Sequence, residues 1–150
     1  MKLKNIMQAS AGAVGFIALF LPWYVVSFWG MSVSGNAFSE VVTVIGVLAL
    51  LLSLGAIAWF VLDMLGLIKL NLPEKTMKII DTVIGGVMAL LGVIAMIIVS
   101  SQSSGLGHAG FGTWLYIIAG AVIIVLTWIK MEQTVGKAPK TKKVTTKKEK

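Results

Sequence analysis

Three places in this chain carry residues whose types and spacing could do chemistry. The first is Gly105-Leu-Gly107-His-Ala-Gly110, a match to Gly-x-Gly-x-x-Gly. In a dinucleotide-binding fold that run follows a strand, opens a helix and lets a pyrophosphate approach the backbone. Here it follows a long apolar segment on the side away from the cytoplasmic nucleotide pool, so it reads as a flexible glycine-rich turn. The second is His108, the single histidine, which could sense pH or bind a metal. Its loop offers only Glu40, across the chain, as an ionisable partner, and one histidine with one carboxylate makes a poor metal site. His108 therefore reads as a solvated loop residue.

The third place is the pair of carboxylates Asp63 and Asp81, which flank a connection carrying Lys69, Lys75 and Lys78. Ionisable groups held at mid-membrane are costly and usually functional. Both aspartates instead fall at a span end, where lysine and water partly neutralise them. Ser10, Ser53 and Thr127 are scattered, and each can bond to its own helix backbone. Cysteine is absent, which removes thiolate chemistry and disulfides. No nucleophile, base and orienting group come together on one side, so the expectation is a non-enzymatic protein with no cofactor and no metal.

These residues sit among elements that only lipid can solvate. Of 150 residues, 57% are hydrophobic and 13% charged, too few charges to cover a soluble domain. The fold expected is an all-α integral membrane protein, a four-transmembrane-helix bundle with a short extracytoplasmic β-hairpin between helices 1 and 2. Spans are expected at about 6–26, 41–62, 77–99 and 111–129 within a domain of residues 1–130, each close to the ~20 apolar residues a crossing needs. The basic lead and apolar run at the start have the makings of a signal peptide, but Phe-Leu-Pro-Trp-Tyr follows in place of an Ala-x-Ala-like cleavage site. A retained first helix is expected, changing character at Pro22, which lacks the N–H for a helical bond. Ser39 is expected to cap the second span with Glu40 in its first turn, and Asp81 to sit in the first turn of the third.

Orientation follows from lysine, because the chain has no arginine and its 13 basic residues are all lysine. That usage fits an AT-rich bacterial genome. Every lysine lies before residue 5, between 63 and 81, or from 130 onward. The positive-inside rule places those segments in the cytoplasm, in a multi-pass protein of the bacterial cytoplasmic membrane with both termini inside. Trp23, Trp29 and Trp114 then fall near the outer surface and Trp59 and Trp128 near the inner one, as aromatic belts do.

Small residues must carry contacts between spans, since lipid gives one apolar helix no hydrophobic reason to prefer another. Gly15, Gly46, Gly85 and Ala89 are the candidates. Thr43-Val-Ile-Gly-Val-Leu-Ala-Leu-Leu and Thr82-Val-Ile-Gly-Gly-Val-Met-Ala-Leu-Leu are nearly the same words. Internal duplication would produce that, as in transporters; so does the narrow residue vocabulary of membrane helices. The tail at 131–150 is expected to be disordered. Its seven lysines from Lys137 to Lys150, among them Lys140, Lys142, Lys143, Lys147 and Lys148, suit anionic lipid headgroups at about 1 kcal/mol each. Without arginine or stacking aromatics they do not make a nucleic-acid site.

Residues 21–35 remain. Tyr24, Val26 and Phe28 alternate with Val25, Ser27 and Trp29 in β-forming types; Gly30 can turn the chain and Met31-Ser-Val-Ser can return it. Such apolar surface must lie on the bundle, dip into headgroups or meet a partner. Leu21-Pro22-Trp23, then Val26-Ser27-Phe28 and Gly30, at the outer end of the first of four spans with both termini inside, resembles the claudin-type arrangement. That resemblance implies the topology and a reduced extracellular hairpin. The family's Gly-Leu-Trp and paired-cysteine signature is missing and the loop is short, so tight-junction function is not implied. The chain is similar in style also to small four-span bacterial membrane proteins, including Gly110-Phe-Gly-Thr-Trp-Leu at the start of the last span.

The function expected is protein–protein contact, through Trp23, Tyr24, Phe28, Trp29 and Met31 outside and glycine-bearing faces within the bilayer. The protein would be an accessory subunit of a membrane complex or an immunity-type protein against a membrane-active toxin. A self-associating pore or small transporter is the alternative. The plainer reading of residues 21–35 is a lid that touches only lipid.

Overall fold

The computed structural model describes residues 3–40, 42–67, 72–102 and 106–129. They form helices α1 (Leu3–Ala18), α2 (Thr43–Met64), α3 (Glu74–Gln102) and α4 (Phe111–Trp128). Strands β1 (Tyr24–Phe28) and β2 (Met31–Gly35) lie between α1 and α2, and β3 (Gly107–Ala109) between α3 and α4. The helices run up and down, with α1 packed between α2 and α4 and with α3 chiefly against α4. One end of the bundle carries the sheet; the other carries most of the polar side chains.

The chain is turned inside out relative to a soluble bundle. On α3 the buried stripe is Asp81, Gly85, Met88, Gly92, Ala95 and Val99, while Val83, Val87, Leu90 and Ile97 are exposed. On α1 the buried stripe is Asn5, Gln8, Ala11, Gly12, Gly15 and Ala18, with Val14 and Ile17 outside. Small and polar residues face in and branched apolar ones face out, the arrangement that helices adopt when their solvent is hydrocarbon. Among the described residues, α2, α3 and α4 are long and apolar enough to cross a membrane. Helix α1 has 16 residues, about 24 Å at 1.5 Å per residue, less than the ~30 Å hydrocarbon core.

Element boundaries correct the expected spans in instructive ways. Helix α1 stops at Ala18, well before residue 26. Its end tightens into turns, with the amides of Leu19, Phe20 and Leu21 donating to Phe16, Ile17 and Ala18 at 3.2, 3.1 and 3.3 Å, and Pro22 then has no amide to continue them. Ser39 does not cap α2: the helix begins at Thr43 with no side-chain cap. Ser39 offers its carbonyl to Val42, at 2.9 Å, inside a turn that Asn36 organises by accepting from the Phe38 amide at 3.0 Å. Helix α3 begins at Glu74, directly after Pro73, so Asp81 lies two turns inside the helix and not in its first turn.

The predicted hairpin is present and acquires a third strand. The sheet has the order β2-β1-β3, antiparallel throughout. Trp29 (φ 49°) and Gly30 (φ 78°) form the two-residue turn; positive φ at both positions matches the right-handed twist of the flanking strands. Residues Gly107–Ala109, expected in a flexible turn, instead pair with Tyr24–Val26. Gly105 lies outside the described residues.

Candidate functional site

The sheet is fastened to the bundle through Trp23. Its amide donates to the Gly35 carbonyl at 2.7 Å, and its carbonyl accepts from the Gly110 amide at 2.8 Å and from the Thr113 hydroxyl at 2.7 Å. The indole Nε1 donates to the Ala18 carbonyl at 2.8 Å, satisfying the backbone where α1 ends. The ring lies 5.4 Å from that of Tyr116. A Cβ on Gly110 would run into the Pro22 carbonyl, and one on Gly112 would come within 2.7 Å of the Trp23 ring. Gly110 and Gly112 therefore serve close backbone approach.

This geometry removes Trp23 from the expected contact surface: it is 1% exposed. Tyr24 is half-buried, its ring set against Gly35. Phe28 and Met31 stand opposite one another, and with Trp29 at the turn they are exposed by 58%, 72% and 87%. Side chains alternate across a strand, and directly opposed residues share a face. One face carries Tyr24, Val26, Phe28, Met31 and Val33; the other carries Val25, Ser27, Ser32, Ser34 and His108. Val33, 66% exposed, belongs to the apolar face although the sequence reading omitted it; strict alternation from Met31 was the available signal. His108 is exposed on the polar face.

The small residues meet different neighbours. A Cβ on Gly85 would approach the Gly120 carbonyl to 2.6 Å, and one on Gly120 the Ala89 amide nitrogen to 2.8 Å, so Gly85 and Ala89 mark a backbone-to-backbone crossing of α3 and α4. Gly15 faces Met88 and Tyr116, the former through the flexible end of its side chain. The nearest neighbours of Gly46 are the backbone and Cβ of Ala37, because the turn before α2 folds over it. The matching passages around Gly46 and Gly85 thus serve unlike environments.

At the opposite end a polar cluster gathers from all four helices. Trp59 Nε1 donates to Asp81 Oδ1 at 3.1 Å, and Asn5 Nδ2 to Asp63 Oδ2 at 2.6 Å. Gln8 Nε2 donates to the Thr127 hydroxyl at 3.0 Å and to Asp81 Oδ2 at 3.4 Å. Lys4 Nζ lies 3.8 Å from Asp81 Oδ2. The expected neutralisation of Asp81 by Lys75 and Lys78 is therefore corrected: Lys78 pairs with Glu74 at 2.8 Å, one turn away on its own helix, and Lys75 is exposed. Asn5 and Gln8 were missed, yet their spacing of three, continued by Ala11, Gly12 and Gly15, places them on one helix face. Of the dispersed hydroxyls, Ser10 and Thr127 bond back to their own helices, whereas Ser53 donates to the Tyr116 hydroxyl at 3.3 Å. Lys69, Lys140, Lys142, Lys143, Lys147 and Lys148 lie outside the described residues. No protein family matches this chain, and neither does any curated protein or solved structure.

Proposed function

We propose that this protein is a non-enzymatic, four-span component of a bacterial cytoplasmic membrane that recognises another membrane protein through the apolar face of its sheet. The observation that carries the reading is the sidedness of the hairpin: Phe28, Met31 and Val33 stand exposed on one face and Ser27, Ser32 and Ser34 on the other. A lid closing the bundle would turn its apolar face inward; these side chains remain outside. Burying the three together with Trp29 would contribute several kcal/mol, at about 1.5–3 kcal/mol per large side chain.

A membrane-embedded partner is favoured because Phe20, Phe111 and Trp114 are also exposed at this end of the bundle. The sheet itself carries no Lys, Arg, Asp or Glu in its strands. Helix α1 is read as the fourth span, since it sits between α2 and α4 and reaches both ends of the bundle. Lysine placement puts the sheet outside and both termini in the cytoplasm. Within this reading the protein serves as an accessory subunit of a membrane complex or as an immunity-type shield.

Co-purification from native membranes tests the proposal. A Phe28→Ser, Met31→Ser double variant is expected to lose the partner, while Ser27→Ala, Ser32→Ala retains it. Equal recovery with both variants contradicts recognition through this face.

A further inference from the structure

We propose that the polar cluster at the end opposite the sheet is a binding site for a monovalent alkali cation, held between the Asp81 carboxylate and the Gln8 side-chain carbonyl. Gln8 is 1% exposed, and its Oε1 has no hydrogen-bond partner among the described residues. Its Nε2 reaches Asp81 and Thr127, so the orphan oxygen is the other atom of an amide already bonded into the cluster. Turning the amide over does not help, because the exchange leaves buried N–H groups where the oxygen stood. A buried acceptor of this kind calls for a donor or a cation that the described residues do not supply.

Charge states what kind. Among the described residues of the cluster, two carboxylates gather with one ammonium: Lys4 lies beside Asp81, Asp63 is held by Asn5, and Lys78 pairs with Glu74. Among those described groups one negative charge is left over, and Asp81 is buried, where uncompensated charge is expensive. Asp81 Oδ2 is also loosely held, its donors standing at 3.4 and 3.8 Å, long for bonds to a carboxylate. A single positive charge neutralises the cluster and satisfies both oxygens. The donors are hard oxygens, which suit alkali and alkaline-earth ions over softer metals. Among the described residues no three His, Cys, Asp or Glu side chains converge to hold a metal ion, which leaves the site short of the carboxylates a divalent ion needs. Such an ion would tie α1 to α3, with Thr127 of α4 and Trp59 of α2 bonded to its ligands.

Trp59 supplies a local reporter, since its indole N–H bonds to the carboxylate itself. The full chain labelled with 15N-tryptophan in nanodiscs is titrated with NaCl and KCl, with choline chloride holding ionic strength constant. The Trp59 resonance is assigned by its loss in Trp59→Phe. Expected is a saturable shift of that signal with Na+ or K+ and none with choline; it is weakened roughly tenfold in Gln8→Leu and absent in Asp81→Asn. Should Asp81→Asn not fold, Gln8→Leu decides alone. A Trp59 signal indifferent to both ions, one that follows only pH, or a shift unchanged in Gln8→Leu overturns the proposal.

Discussion

Trp29 places a large aromatic ring where backbone sterics disfavour it. Its φ of 49° lies in the left-handed region, which costs a bulky L-residue about 1–2 kcal/mol and which Asn tolerates far better. Trp29→Asn is therefore expected to stabilise the hairpin by roughly 0.5–1 kcal/mol, read as slower amide hydrogen exchange at Phe28 and Met31, while weakening partner capture. Stability and binding moving in opposite directions would identify Trp29 as kept for contact. The two neighbouring tryptophans show what a sequence can and cannot resolve. Trp23 and Trp29 share a composition and flank the same strand, yet one is core and the other is the apex. The difference lies in the backbone of Ala18, Gly35 and Gly110 around Trp23, of which only Ala18 is close to it along the chain.

Among the elements, α3 and α4 bring their backbones together where Gly85 and Gly120 face each other. Gly85→Ala is expected to lower stability by about 1–3 kcal/mol, because the added methyl would press on the rigid Gly120 carbonyl. Gly86→Ala, one residue on, meets nothing within 4 Å and should be neutral or stabilising by up to about 1 kcal/mol through helix propensity. Thermal unfolding in one detergent compares the two. The apolar segments are legible in the sequence because hydropathy is summed over a whole helix, and the hairpin because strand alternation and Gly30 are local signals. The glycine environments are not legible: Gly46 and Gly85 sit in nearly the same words, and only the turn at Asn36–Ser39 sends one to a loop and the other to a helix. The polar cluster escapes for a similar reason, since Asn5 and Asp63 are 58 residues apart and Gln8 and Thr127 are 119 apart. Third-strand pairing by residues 107–109 was hidden as well, because glycines that permit close backbone approach look like those of a loose turn.

For the whole molecule, the proposed threading puts the sheet and the polar cluster on opposite sides of the membrane. The chain lacks cysteine, so single introduced thiols report cleanly. A membrane-impermeant reagent added to intact cells is expected to label Ser32→Cys and to reach Lys75→Cys only after permeabilisation; the reverse pattern would invert the orientation and turn the recognition surface toward the cytoplasm. The sidedness of the sheet is the point on which the proposed function turns, and adjacent residues of one strand test it most directly. A photoreactive side chain is placed at Val33, on the apolar face, or at Ser32, on the polar face, and irradiated in native membranes. Recognition through the apolar face predicts a discrete adduct with another membrane protein from position 33 and little from position 32. Lipid adducts alone from position 33, or equal protein adducts from both positions, would contradict it.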